Sequence, residues 1–373
     1  MAENKNMGNL IPLRGNISKI LKEEREVLRD AFIKLNTNQF VYPGGRNDKP
    51  FIGGITYWFK QDEIHQATHV HHGPAFLPWH RELINRFEMH LRMVNRNTSL
   101  HYWDWNEDPE NTIDSEGKPI NLFKDEFMGN SIGEVGQPWL KAKFYDPDAE
   151  QYRSDDPFDK EHSNPFDPPK HLRRQKQKGT LKEFMESKGD HFYTDEEIIS
   201  SDTFTEMRIK LEGVHDYAHG YIGGHIGALH TAFRDPFVFL IHSNVDRLFA
   251  AWQLASGHES RLDPQYVYGN EKNSVSLGST SPHVIVGLQT LLSPWAGVGY
   301  PFERSQIENE LSLKEEPGVN DVRPWAYPDN WHRNPKSPAE KPKNSLDQSV
   351  VVPATRYNSY PSGFNYNFNI FKE

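Results

Sequence analysis

Apolar residues recur at helical spacing in several separated stretches of this 373-residue chain. Between Ile17 and Leu35, the residues Ile20, Leu21, Val27, Leu28, Ala31, Phe32 and Leu35 fall near steps of three and four. Glu23, Glu24 and Glu26 lie between them, which predicts a helix with one buried face. A second helix is expected from Thr56 to about His69. A third is expected from Pro78, because proline is tolerated in a first turn. Leu83, Ile84, Phe87, Leu91 and Val94 make its apolar face, and Arg81, Glu82, Asn85, Arg86 and Glu88 its polar one. His80 precedes Leu83 and Ile84 by three and four positions, so it turns toward the buried side. The pattern returns from about Phe204 to His219, where Met207, Leu211, Val214 and Ala218 share a face. Gly220, Gly223 and Gly224 are expected to end that helix. A last helix starts at Asp235-Pro236, a cap and a first-turn proline, and runs to about Gln253.

The stretches outside these helices carry little periodicity. Residues 106–200 read as mostly irregular, and the Asp/Pro-rich run 145–170 reads as a long surface excursion. Residues 261–373 are rich in Pro, Asn, Ser and Tyr, with short alternating pieces at His283 to Gly287 and Ser349 to Val352. No repeat and no second apolar core is visible there. The expectation is therefore a mainly α protein with few short strands. It is a single domain over 1–373, with a helical core at about 11–260 and a segment 261–373 that wraps it.

Composition narrows the chemistry. Cysteine is absent, so neither thiolate ligands nor disulfides are available. The net charge of −10 argues against nucleic acid as a partner. The one basic run, Lys170 to Lys178, contains Arg173, Arg174, Lys176 and Lys178 and reads as a solvated loop. No apolar run reaches the roughly 18 residues of a membrane span, and MAENKNMGNL has no signal-peptide core. A soluble, cytoplasmic protein without a membrane partner is expected.

Histidine is where the sequence concentrates its information. Ten of the 18 histidines fall in two windows: His65, His69, His71, His72 and His80, then His215, His219, His225, His230 and His242. Such clusters suit borderline metals such as copper and zinc. His215 and His219 are four apart, on one helical face, where two imidazoles can chelate one ion. Glu212 and Asp216 belong to the same stripe, and His242 can supply a third nitrogen. Asp246, one turn after His242, is placed to fix that ring or its helix. Upstream, His65 and His69 are four apart and His71 and His80 follow, so a second ion is expected. Two coppers with open positions can bind dioxygen, which is redox chemistry unavailable to zinc. A zinc hydrolase is the weaker reading, because His-Glu-x-x-His is replaced by His215-Asp216-Tyr217-Ala218-His219 and the upstream cluster would be unexplained. His90, His101, His162, His171, His191, His258, His283 and His332 read as hydrogen-bonded core or surface residues. His225 and His230 read as structural or pocket-lining.

These residues resemble the type 3 copper proteins, in the tyrosinase and catechol oxidase (polyphenol oxidase) branch. Phe76-Leu77-Pro78-Trp79-His80-Arg81, Arg86-Phe87-Glu88 and Tyr102-Trp103-Asp104-Trp105 are similar to the family's first copper region. Asp235-Pro236-Phe237 through His242, Val245-Asp246-Arg247 and Trp252 are similar to its second, with Leu211-Glu212, the histidine pair and Gly223-Gly224 before it. Arg14 and Tyr366-Asn367-Phe368 resemble residues that frame the family's domain. The resemblance implies an antiparallel four-helix bundle around a dinuclear copper site, with long peripheral loops. It places His65, His71 and His80 on the first copper, His65 being chosen over His69 because His69 is only two residues from His71. It places His215, His219 and His242 on the second, with Ile241 standing where the family often has another histidine. Glu212 and Asp216 would hold the water that takes a phenol's proton, Asp216 standing where asparagine is frequent. Without cysteine the thioether link of some members cannot form.

The activity implied is a tyrosinase: dioxygen-driven ortho-hydroxylation of monophenols and oxidation of o-diphenols to o-quinones. Small phenols and dioxygen would be its partners, and the working unit a monomer or small homo-oligomer. Gly220, adding no bulk beside His219, mildly favours entry of monophenols. A catechol or o-aminophenol oxidase would share every ligand. A hemocyanin-like oxygen carrier would share the coppers and hide them.

Overall fold

A computed structural model describes residues 13–36, 58, 61–62, 65, 71, 76–124, 127–129, 144–146, 151–153, 172–228 and 231–262. Among these are α1 (Lys22–Leu35), α2 (Phe76–Val94), α3 (Leu181–Ser187), α4 (Asp195–Ile199), α5 (Phe204–Ile222) and α6 (Phe237–Gln253). Two antiparallel pairs accompany them, β1 (Thr112–Ile113) with β2 (Pro119–Ile120), and β3 (Phe144–Asp146) with β4 (Gln151–Arg153). Trp58, Gln61, Asp62 and His65 are helical, within the helix expected from Thr56. Residues 66–69 and the proposed wrapping segment beyond 262 lie outside the described residues. No helix among the described residues is long and apolar enough to cross a membrane.

Helix α6 occupies the centre, with every one of its residues buried. A helix that buries its whole circumference needs partners on all sides. Helices α2, α5 and α4 pack directly on it, and α1 packs on α2. Phe87 of α2 stacks on Phe239 of α6 at 3.8 Å between ring centroids, and Phe32 of α1 meets both at 5.4 and 5.8 Å. Helix α6 starts at Phe237, one residue later than expected, with Pro236 at its cap position, and the Asp235 Oδ1 just before it accepts the Phe237 N–H at 2.9 Å.

Several boundaries and faces differ from expectation. Helix α1 begins at Lys22 and not at Ile17. The Asn16 side chain accepts the Ser18 N–H at 3.0 Å, and the Asn16 carbonyl accepts Lys19 and Ile20, so these residues form a turn. Leu21 is consequently 62% exposed. Helix α5 runs three residues past His219, through Gly220, and ends at Gly223, whose φ of 64° no side chain favours. Arg81 and Glu88, on the polar side of α2 by pattern, are buried. Arg14 explains both: it pairs with Glu88 at 2.8 Å and with Asp246 of α6 at 2.9 Å, and Arg81 also reaches Asp246.

Where it is described, the basic run is a loop with Arg173 and Lys178 exposed as expected, but Arg174 turns inward. Arg174 is buried and holds both oxygens of Asp235 at 2.7 Å, while its third nitrogen donates to the Met128 and Gly129 carbonyls. The Gln175 and Gln177 N–H groups bond to Ile222 and Tyr221 at the end of α5, and His225 N–H bonds back to the Arg173 carbonyl. This strap runs so close to Gly224 that a Cβ there would lie 1.9 Å from the Arg173 oxygen. Helices α3 and α4 lie in the stretch expected to be irregular, each opened by a reciprocal Thr-x-x-Glu cap, Thr180 with Glu183 and Thr194 with Glu197. The pair β3–β4 falls at the start of the run expected to be surface excursion.

Candidate metal centre

The first cluster forms where the helical segment carrying His65 meets α2. His80, in the first turns of α2, directs its Nδ1–H to the Phe76 carbonyl at 2.8 Å. That bond turns Nε2 the other way, as a backbone acceptor commonly does for a metal-bound histidine. One nitrogen from each of His65, His71 and His80 lies within 4.8 Å of the other two.

The second cluster is built from α5 and α6. His215 and His219 are one turn apart, and His242 comes from the second turn of α6. Their nitrogens also lie within 4.8 Å of one another. His215 directs Nδ1 to the Asp216 carboxylate at 3.0 Å, and His219 directs Nδ1 to the Ile226 carbonyl at 2.8 Å. The Nε2 atoms of His215 and His242 then face each other at 3.4 Å, and the buried Nε2 of His219 has no hydrogen-bond partner. Converging ring nitrogens, one of them left without any protein partner, are what a cation satisfies. Burial pushes His219 down to about 3, helped by neighbouring His215, and burial with the surrounding histidines pushes His242 well below its ordinary range. Both are therefore neutral near pH 7, the form that ligates.

The two triads face each other. The His80 and His242 rings are parallel within 6° at 4.4 Å, and His71 and His215 lie 6.1 Å apart. Phe76 touches one ring of each triad, His80 at 4.7 Å and His215 at 4.9 Å. Phe233 does the same for His65 at 4.4 Å and His242 at 5.0 Å. Six imidazoles, three to a cluster and without sulfur, suit copper or zinc and leave coordination positions open.

Residues 54–255 match the family profile described as the common central domain of tyrosinase, which is more than half of the chain. The chain belongs to the tyrosinase family. The domain accordingly binds two copper ions, and the two histidine triads are groups able to hold them. Grixazone synthase of Streptomyces griseus is 27% identical over 268 residues, 64% of this chain and 78% of that one. Hemocyanin 2 of Megathura crenulata is 25% identical over 249 residues, 65% of this chain and 6% of that protein. The chain spans between 6% and 54% of the length of the hemocyanins it matches. The solved polyphenol oxidase of Thermothelomyces thermophila aligns with a TM-score of 0.45 at 19% identity, covering 72% of this chain and 76% of that one.

The six histidines that the resemblance places on the two coppers are brought together in two groups of three. His69, His72 and His230 lie outside the described residues, as do His162, His171, His283, His332 and Tyr366-Asn367-Phe368. His225 is structural, its Nδ1 accepting the Arg173 N–H at 2.8 Å. His101 is a core histidine whose Nδ1 accepts the Gly15 N–H at 3.0 Å, and His191 and His258 are exposed. Asp246 ties α6 to Arg14 and Arg81, which fixes the helix that carries His242. Glu212 is buried, with Arg208 one turn away donating to its Oε2 at 3.1 Å. The Asp216 side chain is 41% exposed. A Cβ at Gly220 would lie 3.8 Å from the Phe184 ring, so this glycine packs toward α3.

Phe76 stands in the motif that resembles the first copper region, whereas Phe233, Asp62 and Arg234 were not singled out from the sequence. Asp62 could have been noticed, since it precedes His65 by one helical turn. The partner of Asp62 is Arg234, paired with it at 2.8 Å with neither side chain exposed. A partner 172 residues away leaves no local signal.

Proposed function

We propose that this protein is a copper-dependent phenol oxidase of the tyrosinase type, hydroxylating monophenols ortho to their oxygen and oxidising o-diphenols to o-quinones. In this reading His65, His71 and His80 hold one copper, and His215, His219 and His242 hold the other. The helix containing Asp62 and His65, together with α2, α5 and α6, forms the four-helix bundle around the pair. The observation that carries the reading is the edge of the second triad. His219 is partly exposed, and the Asp216 carboxylate beside it is 41% exposed, so the site offers a polar edge to an entering phenol. An oxygen carrier gains nothing from such an edge.

When bound, the copper pair supplies dioxygen activation and positive charge that stabilises a phenolate. The chain handles the proton. A phenol with a pKa of about 10 is a far weaker acid than a carboxyl group with a pKa of about 4, so unaided transfer to a carboxylate is uphill by ~8 kcal/mol. Asp216 therefore acts as a relay that hands the proton on to solvent, and its exposure suits that role. Asp216 also receives His215 Nδ1, so movement of the proton is coupled to the orientation of a ligand ring. Glu212, clamped by Arg208, presents a fixed negative charge one turn from His215.

A second reading has support of its own. Both carboxylates are already engaged, Asp216 with His215 and Glu212 with Arg208, and an engaged carboxylate is a weaker base. A catechol or o-aminophenol oxidase would need neither for phenol deprotonation. The hemocyanin relatives add the carrier reading. Oxygen uptake by copper-loaded protein separates the three, using tyramine, then 4-methylcatechol, against a copper-free control. The expected result is copper-dependent uptake with both. Uptake with the catechol alone replaces the tyrosinase reading by the second. Reversible oxygen binding without turnover replaces both by the third.

A further inference from the structure

The two triads come from different parts of the chain, and their spacing has to be set by something other than the histidines. On one side of the site a buried ion pair and the chain next to it connect the two. Asp62 lies one turn before His65, and its Oδ2 accepts Arg234 Nε at 2.8 Å, both side chains being 0% exposed. Phe233, next to Arg234, lies against His65 and His242 at 4.4 and 5.0 Å. Asp235, on the other side of Arg234, accepts the N–H of Phe237, the first residue of α6, and is gripped by Arg174 at 2.7 Å. Helix α6 then carries His242.

We infer that the buried Asp62–Arg234 ion pair is a positioning device that fixes the separation and angle between the two metal-binding triads. A buried pair of this kind adds little net stability over two well-packed apolar side chains, because desolvation offsets most of the attraction. What it adds is a fixed length and direction. Packed apolar faces can slide by a fraction of an ångström at small cost, whereas an N–H···O bond loses most of its strength when bent or stretched. Here the bond joins the helix of His65 to the residue beside Phe233 and Asp235, so a shift in it moves one triad relative to the other. The inference rests on the assignment of the two triads as the copper ligands.

The test removes both charges together, in D62V/R234M, and reads copper content and electron paramagnetic resonance on the fully cupric protein. Two cupric ions held at a fixed short spacing through a shared ligand pair their spins and give almost no signal. In the wild type the signal is expected near zero at two coppers per chain. In the double variant, two coppers are expected with a signal that accounts for most of them. A double variant with two coppers and no signal overturns the inference. If it fails to fold, D62E decides, because it keeps both charges and lengthens one arm by a methylene: a clear signal supports the inference, and silence overturns it. A wild type that holds fewer than two coppers overturns the ligand assignment first, and this inference with it.

Discussion

Replacing His101 with asparagine should flatten the acid side of the stability curve of the copper-free protein. His101 is 5% exposed, and its Nδ1 accepts the Gly15 N–H at 3.0 Å, joining the chain before α1 to the segment after α2. Burial brings its pKa from 6.5 down to about 4, with Glu88 opposing and Arg14 assisting. The unfolded chain therefore takes up this proton at a higher pH than the folded one. Stability from this group is complete above pH 6.5 and is lost as the pH falls toward 4. At 1.36 kcal/mol per unit, the loss is about 3 kcal/mol, a large share of the stability of an ordinary domain. Asparagine places Oδ1 close to where Nδ1 sits, so it keeps the acceptor for Gly15 and removes the titration. Urea unfolding of the chelator-treated protein at pH 7.5, 6.0, 5.0 and 4.5 measures the effect. His101→Asn should lose about 1 kcal/mol at pH 7.5 through the missing ring atoms, yet lose about 2.5 kcal/mol less than the wild type between pH 7.5 and 4.5. The histidines of the metal site titrate identically in both proteins and cancel. Two curves that fall in parallel would refute the reasoning.

His219→Ala should reduce bound copper from two per chain to about one and abolish phenol oxidation, as judged by metal analysis and oxygen uptake, because it removes one of three nitrogens from the second cluster. Asp216→Asn should keep both coppers and catechol turnover while slowing tyramine hydroxylation by about tenfold or more; equal loss with both substrates would make Asp216 a support for His215 alone. Arg174→Ala leaves the Asp235 carboxylate buried without its bidentate partner, and thermal unfolding should show a loss of about 3–5 kcal/mol. Gly224→Ala must either distort a φ of 60° or push the Arg173 carbonyl away, for an expected loss of about 2–4 kcal/mol in chemical denaturation.

Chemistry was more legible in the sequence than packing. The four-residue step from His215 to His219 and the recurrence of histidine between 65 and 80 are local facts, and local periodicity survives folding. The all-round burial of α6 was also readable, since Phe237 to Trp252 offers few charges to solvent. The hidden part was the set of charges that fold inward. Arg81 and Glu88 follow the spacing of an exposed stripe, and nothing nearby announces Arg14 or Asp246, which lie up to 165 residues away. Arg174 sits in a run that looks solvated until Asp235, 61 residues on, is brought beside it. Helices α3 and α4 are too short for periodicity to detect, at seven and five residues. Their Thr-x-x-Glu caps, however, were written in the chain and were the better signal.

The way the histidines are distributed along the chain also bears on the order in which the site can assemble. Each triad closes over a short loop, 27 residues between His215 and His242, and fewer still within the upstream group. Bringing the two halves together is a different kind of event, shown by the 165 residues between Arg81 and Asp246. The longer closure costs about 1.6 kcal/mol more in chain entropy. A nascent or refolding chain can therefore form two separate half-sites early and join them late. A chain that is only partly folded would capture metal ions one at a time, in pockets that do not yet face each other.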